Sequence, residues 1–155
     1  MIKEVKIKTV RETGPVCNSI QKPDAVVEIW RESVETAQWF DTEKEAFIVF
    51  LLDMKNRVKA WNLVSLGTLN SSLVCPREVF RAACVSSAAS VIVAHNHPSG
   101  DPTPSADDLR VTQQLIAAGK VLGIPVLDHI ILGSEAVTPP GYVSLRDKAD
   151  LDFSA

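Results

Sequence analysis

Val91-Ile92-Val93-Ala94-His95-Asn96-His97-Pro98-Ser99-Gly100-Asp101-Pro102-Thr103-Pro104-Ser105-Ala106-Asp107-Asp108 is an apolar run that ends in two histidines, a proline-rich loop and a group of acids. Side chains on a strand alternate faces, so His95 and His97 project from one face, about 7 Å apart along the chain, and Asn96 projects from the other. Two imidazoles so placed can share one cation. Pro98, Pro102 and Pro104 stiffen the following loop, which holds ligands on rigid backbone as a preorganised site requires. From Ser105 the pattern turns helical and brings a carboxylate back toward the strand end. Spacing leaves Asp101, Asp107 and Asp108 all open as the third ligand. Ser105-x-x-Asp108 also reads as a capping box variant, with the serine on a backbone amide and the acid reaching back. Asp107 and Asp108 suit the positive end of the helix dipole as well.

Outward from this stretch, Val111, Leu115, Ala118 and Leu122 form one stripe of a helix from Ser105 to about Leu122, ended by Gly123 in a left-handed conformation. A strand is expected over Ile124 to Leu132, a turn-rich loop with Pro139-Pro140 over Gly133 to Gly141, and a last short strand over Tyr142 to Leu145. The tail after Arg146 is polar and expected to fray. Upstream, Pro76 opens a helix to about Ser87, with Val79, Phe80, Ala83 and Cys84 at helical spacing. Ala46 to Leu52 is a continuous apolar run, expected as a central strand buried on both faces. Asp53 to Arg57 turns it into an antiparallel partner from Val58 to about Gly67, and Leu69 to Leu73 is a connection. Asp24 is expected to cap a helix reaching about Phe40, with Val26, Trp30, Val34 and Ala37 on its buried stripe and Trp30 and Trp39 in the core. Residues 2 to 10 alternate as an edge strand would, with an edge that could pair with another chain. Strands interleaved with helices and a hairpin give an α/β fold with a mixed, mostly antiparallel sheet flanked by helices.

The chain of 155 residues, 46% hydrophobic and 23% charged, fits one globular domain over residues 1 to 155. A net charge of -3 gives no basic footprint, so nucleic acid as a partner has no support from charge. Cys17, Cys75 and Cys84 are odd in number and widely spaced, indicating neither a disulfide framework nor a structural zinc knuckle. A reducing cytoplasm is the simplest setting. The longest apolar run falls far short of the roughly 18 residues of a membrane span, and the first residues alternate where a signal peptide would be continuously apolar, so no membrane partner is expected.

Two neutral imidazoles, a carboxylate and an exchangeable water make the ligand pattern of a hydrolytic zinc centre, with manganese and iron as the other candidates. Zinc lowers the pKa of its water to about 7, but hydrolysis of an amide also needs a base to take the water proton and return it to the leaving nitrogen. Glu43, Glu45 and Glu78 are the candidates for that base. Glu45 opens a buried strand, where apolar neighbours can raise a carboxyl pKa; Glu78 in a helix's first turn is already explained by the dipole. Glu43 shares the face of Glu45 by period two. His129, in an apolar strand, reads first as a structural histidine partnered by Asp128, and second as a residue that supports a ligand or meets substrate.

His95-x-His97-Pro98, five residues, Pro104-Ser105, two residues and Asp108 resemble the JAMM motif of JAB/MPN-type metalloproteases, and Ala94 to Ser105 resembles its bacterial RadC branch. The likeness extends to Phe47-Ile48-Val49-Phe50-Leu51-Leu52-Asp53, Pro76-Arg77-Glu78-Val79-Phe80, Leu127-Asp128-His129-Ile130-Ile131 and Tyr142-Val143-Ser144-Leu145, within about residues 40 to 146. It implies the JAB/MPN fold, with its cytidine deaminase-like architecture. It implies His95, His97 and Asp108 as ligands of one Zn2+ per chain, Glu45 as general acid/base, and Ser105 as a hydroxyl donor to the oxyanion. The implied activity is zinc-dependent hydrolysis of peptide or isopeptide bonds in a protein or peptide substrate. A metal-dependent phosphodiesterase or nuclease, and a noncatalytic interaction module, are the alternatives. Long RadC proteins carry an N-terminal helical segment of helix-hairpin-helix character, which the roughly 40 residues before the matching block do not resemble. DNA repair is implied by the family name alone.

Overall fold

A computed structural model describes residues 19–67 and 74–154. The strand expected over residues 2 to 10 and the connection expected over Leu69 to Leu73 lie outside the described residues. The elements are α1 (Pro23–Ile29), a π-helical turn (Trp30–Val34), β1 (Glu45–Leu52), β2 (Val58–Gly67), α2 (Pro76–Val85), β3 (Ser90–Asn96), α3 (Ala106–Leu122), β4 (Val126–Leu132), β5 (Tyr142–Ser144) and α4 (Leu145–Lys148). The strands lie in the order β2-β1-β3-β4-β5. Among the described residues, the β3–β4 pair is parallel and the β1–β2, β1–β3 and β4–β5 pairs are antiparallel. That is the mixed, mostly antiparallel sheet of an α/β fold that the sequence predicts.

The continuous apolar runs are explained by helices on both faces of the sheet. Phe47, Val49, Leu51, Val91 and Val93 pack against Val79, Phe80 and Ala83 of α2 and Val111 and Leu115 of α3. Ala46, Ile48, Phe50, Ile92 and Ala94 face the other way, onto Val26, Val27, Trp30 and Val34. Each Val, Leu, Ile or Phe among them that is fully withdrawn from water stabilises the fold by about 1.5–3 kcal/mol. β1 is interior as its composition requires, but the centre of the sheet is β3, with β1 antiparallel on one side and β4 parallel on the other. Asn96 points from β3 onto the face of Ala94, and its amide fastens the start of β1, accepting from Ala46 N at 2.8 Å and donating to Lys44 O at 2.9 Å.

Three local expectations are corrected. The helix expected from Asp24 to Phe40 is α-helical only to Ile29 and then widens into a π turn, with Glu35 N donating to Trp30 O at 3.1 Å. The wider turn keeps Trp30 and Val34 both fully buried while Trp30 Nε1 still reaches Glu35 Oε1 at 3.1 Å. Trp39 is half-buried at the margin of the core, against Phe40 and Trp61. Asp24 does not cap: Lys22 is the N-cap without a side-chain bond, Pro23 follows it, and the Asp24 carboxylate instead accepts from the Tyr142 hydroxyl at 2.5 Å. At the other end of the chain, Gly123 ends α3 at φ 68°, in the left-handed region.

Candidate metal centre

β3 carries the site because its apolar stretch buries Val91 and Val93 and then delivers His95 on the same face, where α3 begins. His95 is completely buried, and the Phe47 ring, its cross-strand neighbour, stacks on it at a centroid separation of 5.8 Å and an interplanar angle of 13°. His97 lies just past the strand, held by its backbone N–H donating to Leu132 O at 2.8 Å. The His97 Nδ1 faces Asp101 O at 2.7 Å. A carbonyl only accepts, so Nδ1 carries a proton, and in the neutral ring Nε2 presents the lone pair. The two Nε2 atoms are 3.0 Å apart.

The carboxylate comes from α3. Ser105 is its N-cap: Asp108 N donates to Ser105 Oγ at 3.1 Å, and Ser105 N donates to Asp108 Oδ2 at 2.7 Å, a complete capping box. That box aims Asp108 at the imidazoles, with Oδ1 3.2 Å from His95 Nε2 and Oδ2 3.4 Å from His97 Nε2. Capping and convergence therefore coexist in one carboxylate. Among the described residues, His95, His97 and Asp108 form a group that could hold a metal ion, each offering one atom within 4.8 Å of the others.

The remaining acids separate by what they touch. Asp107 pairs with Arg110 on the surface. Asp101 accepts from Thr103 N at 3.0 Å and Thr103 Oγ1 at 2.7 Å, and serves the site through its backbone carbonyl. Glu43 is exposed, and Glu78 pairs with Arg77 and Arg81 at 3.3 and 3.6 Å. Glu45 begins β1, two residues before Phe47 and on the same face. Phe47 pairs antiparallel with His95, which puts Glu45 toward the His97 end of β3, and the Glu45 charge helps raise the His97 pKa.

Charge accounts for the electrostatics. Burial pushes the Asp108 carboxyl up, but the two imidazoles outweigh it and hold the group far below the usual carboxylate range. The hydrogen bond to Asp108 raises the His97 pKa, opposed by burial and helped by the Asp101 carbonyl and the charges of Asp108 and Glu45. In metal-free protein this His97 contribution to stability is complete below the unfolded value of about 6.5, and is lost as pH rises through the raised folded value. A metal competes with that proton, so its affinity should fall as pH is lowered through the same value. Chelator-competition titrations across pH measure this, and an affinity that does not vary contradicts it.

Two functional contacts escape local sequence reasoning. The ring of His129 does not meet Asp128. Its Nε2 lies 2.8 Å from His95 Nδ1 and its Nδ1 2.6 Å from Thr112 Oγ1, while Asp128 accepts from the His129 backbone N–H and the Ser144 hydroxyl. Burial is the main influence on both, lowering the His129 pKa well below its ordinary value and raising that of Asp128. Gly133 is the second contact. A Cβ there would lie 2.4 Å from Gly100 O and 2.9 Å from Pro102 N, inside the loop that places the Asp101 carbonyl. Gly133→Ala should cost about 1–3 kcal/mol by overpacking and weaken metal binding through His97. Thermal unfolding and metal titration of that variant measure both effects, and wild-type values would refute the loop's role.

Comparison with known proteins agrees with this geometry. A family model described as "RadC-like JAB domain" matches residues 20–150. A UPF0758 protein of Methanosarcina mazei is 52% identical over 108 residues, covering 70% of this chain and 45% of the relative. Another, from Caldanaerobacter subterraneus subsp. tengcongensis, is 44% identical over 135 residues, covering 87% of this chain and 54% of its own. The chain thus spans about half the length of the curated relatives it matches. No helix among the described residues is long and apolar enough to cross a membrane. Fold, motif and family model agree: the chain belongs to the RadC-like JAB domain family.

Proposed function

We propose that the chain is a zinc-dependent hydrolase of peptide or isopeptide bonds. The observation that carries this reading is the convergence of His95 Nε2, His97 Nε2 and the Asp108 carboxylate at 3.0–3.4 Å. Two imidazole nitrogens that can each offer a lone pair, beside a carboxylate and so close together, favour a positive charge between them. The mixed nitrogen and oxygen donor set suits zinc better than magnesium or calcium. His95, His97 and Asp108 would hold the ion, which when bound supplies a Lewis acid and an acidified water.

The other residues supply what the ion does not. Glu45, at the His97 end of the β1–β3 pair, takes the proton of the attacking water as its oxygen bonds to the carbonyl carbon, and returns it to the nitrogen as the C–N bond breaks. The Ser105 oxygen accepts from Asp108 N through a lone pair, which leaves its hydroxyl proton to donate to the developing oxyanion. Protein or peptide is the substrate class.

Peptide and isopeptide libraries incubated with the zinc-loaded protein, beside single-stranded and duplex DNA, test the reading. Amide cleavage that is lost in His95→Ala is expected. Cleavage of DNA alone, lost in the same variant, would replace the proposal with a nuclease.

A further inference from the structure

We infer that Thr112 and His129 act as positioning residues, forming a one-way hydrogen-bond chain that locks His95 in the tautomer with its Nε2 lone pair turned to the metal centre. The inference rests on the metal reading above. The chain runs from His95 Nδ1 to His129 Nε2 at 2.8 Å, from His129 Nδ1 to Thr112 Oγ1 at 2.6 Å, and from Thr112 Oγ1 to Asp108 O at 2.6 Å. His95, His129 and Thr112 are all completely buried.

The direction follows from the last acceptor. Asp108 O is a carbonyl and cannot donate, so the single hydroxyl proton of Thr112 goes to it. The Thr112 oxygen must then accept, and His129 donates from Nδ1–H. A ring buried among a hydroxyl and another imidazole takes the neutral form, because an uncompensated charge there is costly. His129 Nε2 is therefore a lone pair, and His95 donates to it from Nδ1–H. His95 Nε2 is left without a proton, 3.2 Å from Asp108 Oδ1. The chain begins on one proposed ligand and ends on the backbone of another, so the hydroxyl of α3 sets the proton position of a ring on β3. Partners that fix a ligand's tautomer and ring orientation commonly change metal affinity by about 10–100-fold when removed.

Thr112→Val keeps the shape of the side chain and removes the hydroxyl. His129 then has no acceptor for its Nδ1 proton and can move it to Nε2, which forces the His95 proton onto the metal-facing nitrogen. Zinc affinity, read by chelator competition, should fall about 10–100-fold in Thr112→Val and return to near wild type in Thr112→Ser. Long-range 1H–15N spectra of the metal-free wild type should show His129 protonated at Nδ1 alone. Wild-type affinity in a folded Thr112→Val, or an Nε2 proton on His129 in the wild type, overturns the inference. Wild-type protein that takes up no metal overturns the zinc reading instead, while the spectra still decide the direction of the chain.

Discussion

Glu45→Gln should keep the metal of the wild type and lose amide hydrolysis by about 10²–10⁴-fold, the usual worth of a positioned general base. The amide of Gln occupies the same place at the start of β1 but cannot take a proton from water. Position argues for Glu45 over its rivals, since the β1–β3 pairing puts it toward the His97 end of β3 and its charge contributes to the raised His97 pKa. Glu78→Gln, on α2 beside Arg77 and Arg81, should retain turnover. Single-turnover rates with metal content measured on the same samples make the comparison. Full activity in Glu45→Gln, or its loss in Glu78→Gln, would mean that the base is assigned wrongly.

Substitutions at Asp108 should have the largest effect on the metal and should divide its two duties. Asn retains an oxygen that can accept from Ser105 N, so Asp108→Asn is expected to lose tight metal binding while keeping most of the cap. Asp108→Ala loses both, and should be less stable than Asp108→Asn in metal-free form by about 1 kcal/mol, the typical worth of a capping contact. Denaturant unfolding without metal, paired with metal titration, separates the two. Tight metal binding by Asp108→Asn would remove the carboxylate from the centre.

The parts of the fold that were legible in sequence are those set by local pattern. The apolar run Ser90–Asn96, the hairpin around Asp53 to Arg57, and α3 from its Ser105 cap to Gly123 each depend on residues within a few positions of one another. The two same-face histidines were legible for the same reason. The π turn at Trp30 was not, because the stripe of Val26, Trp30, Val34 and Ala37 fits a regular helix equally well. Periodicity also left three aspartates open; the family resemblance pointed to Asp108, and the packing of α3 against the end of β3 brings that residue to the imidazoles. Non-local contacts were hidden altogether. His129 reaches His95 across 34 positions and Asn96 reaches Ala46 across 50, through strand neighbours that no local window contains.

The central claim is that His95, His97 and Asp108 together hold one metal ion. Metal analysis of the wild type and His97→Ala, each loaded with zinc and dialysed, tests it most directly. The account predicts about one zinc per chain in the wild type and none retained in the variant; a wild type that retains no zinc would contradict it.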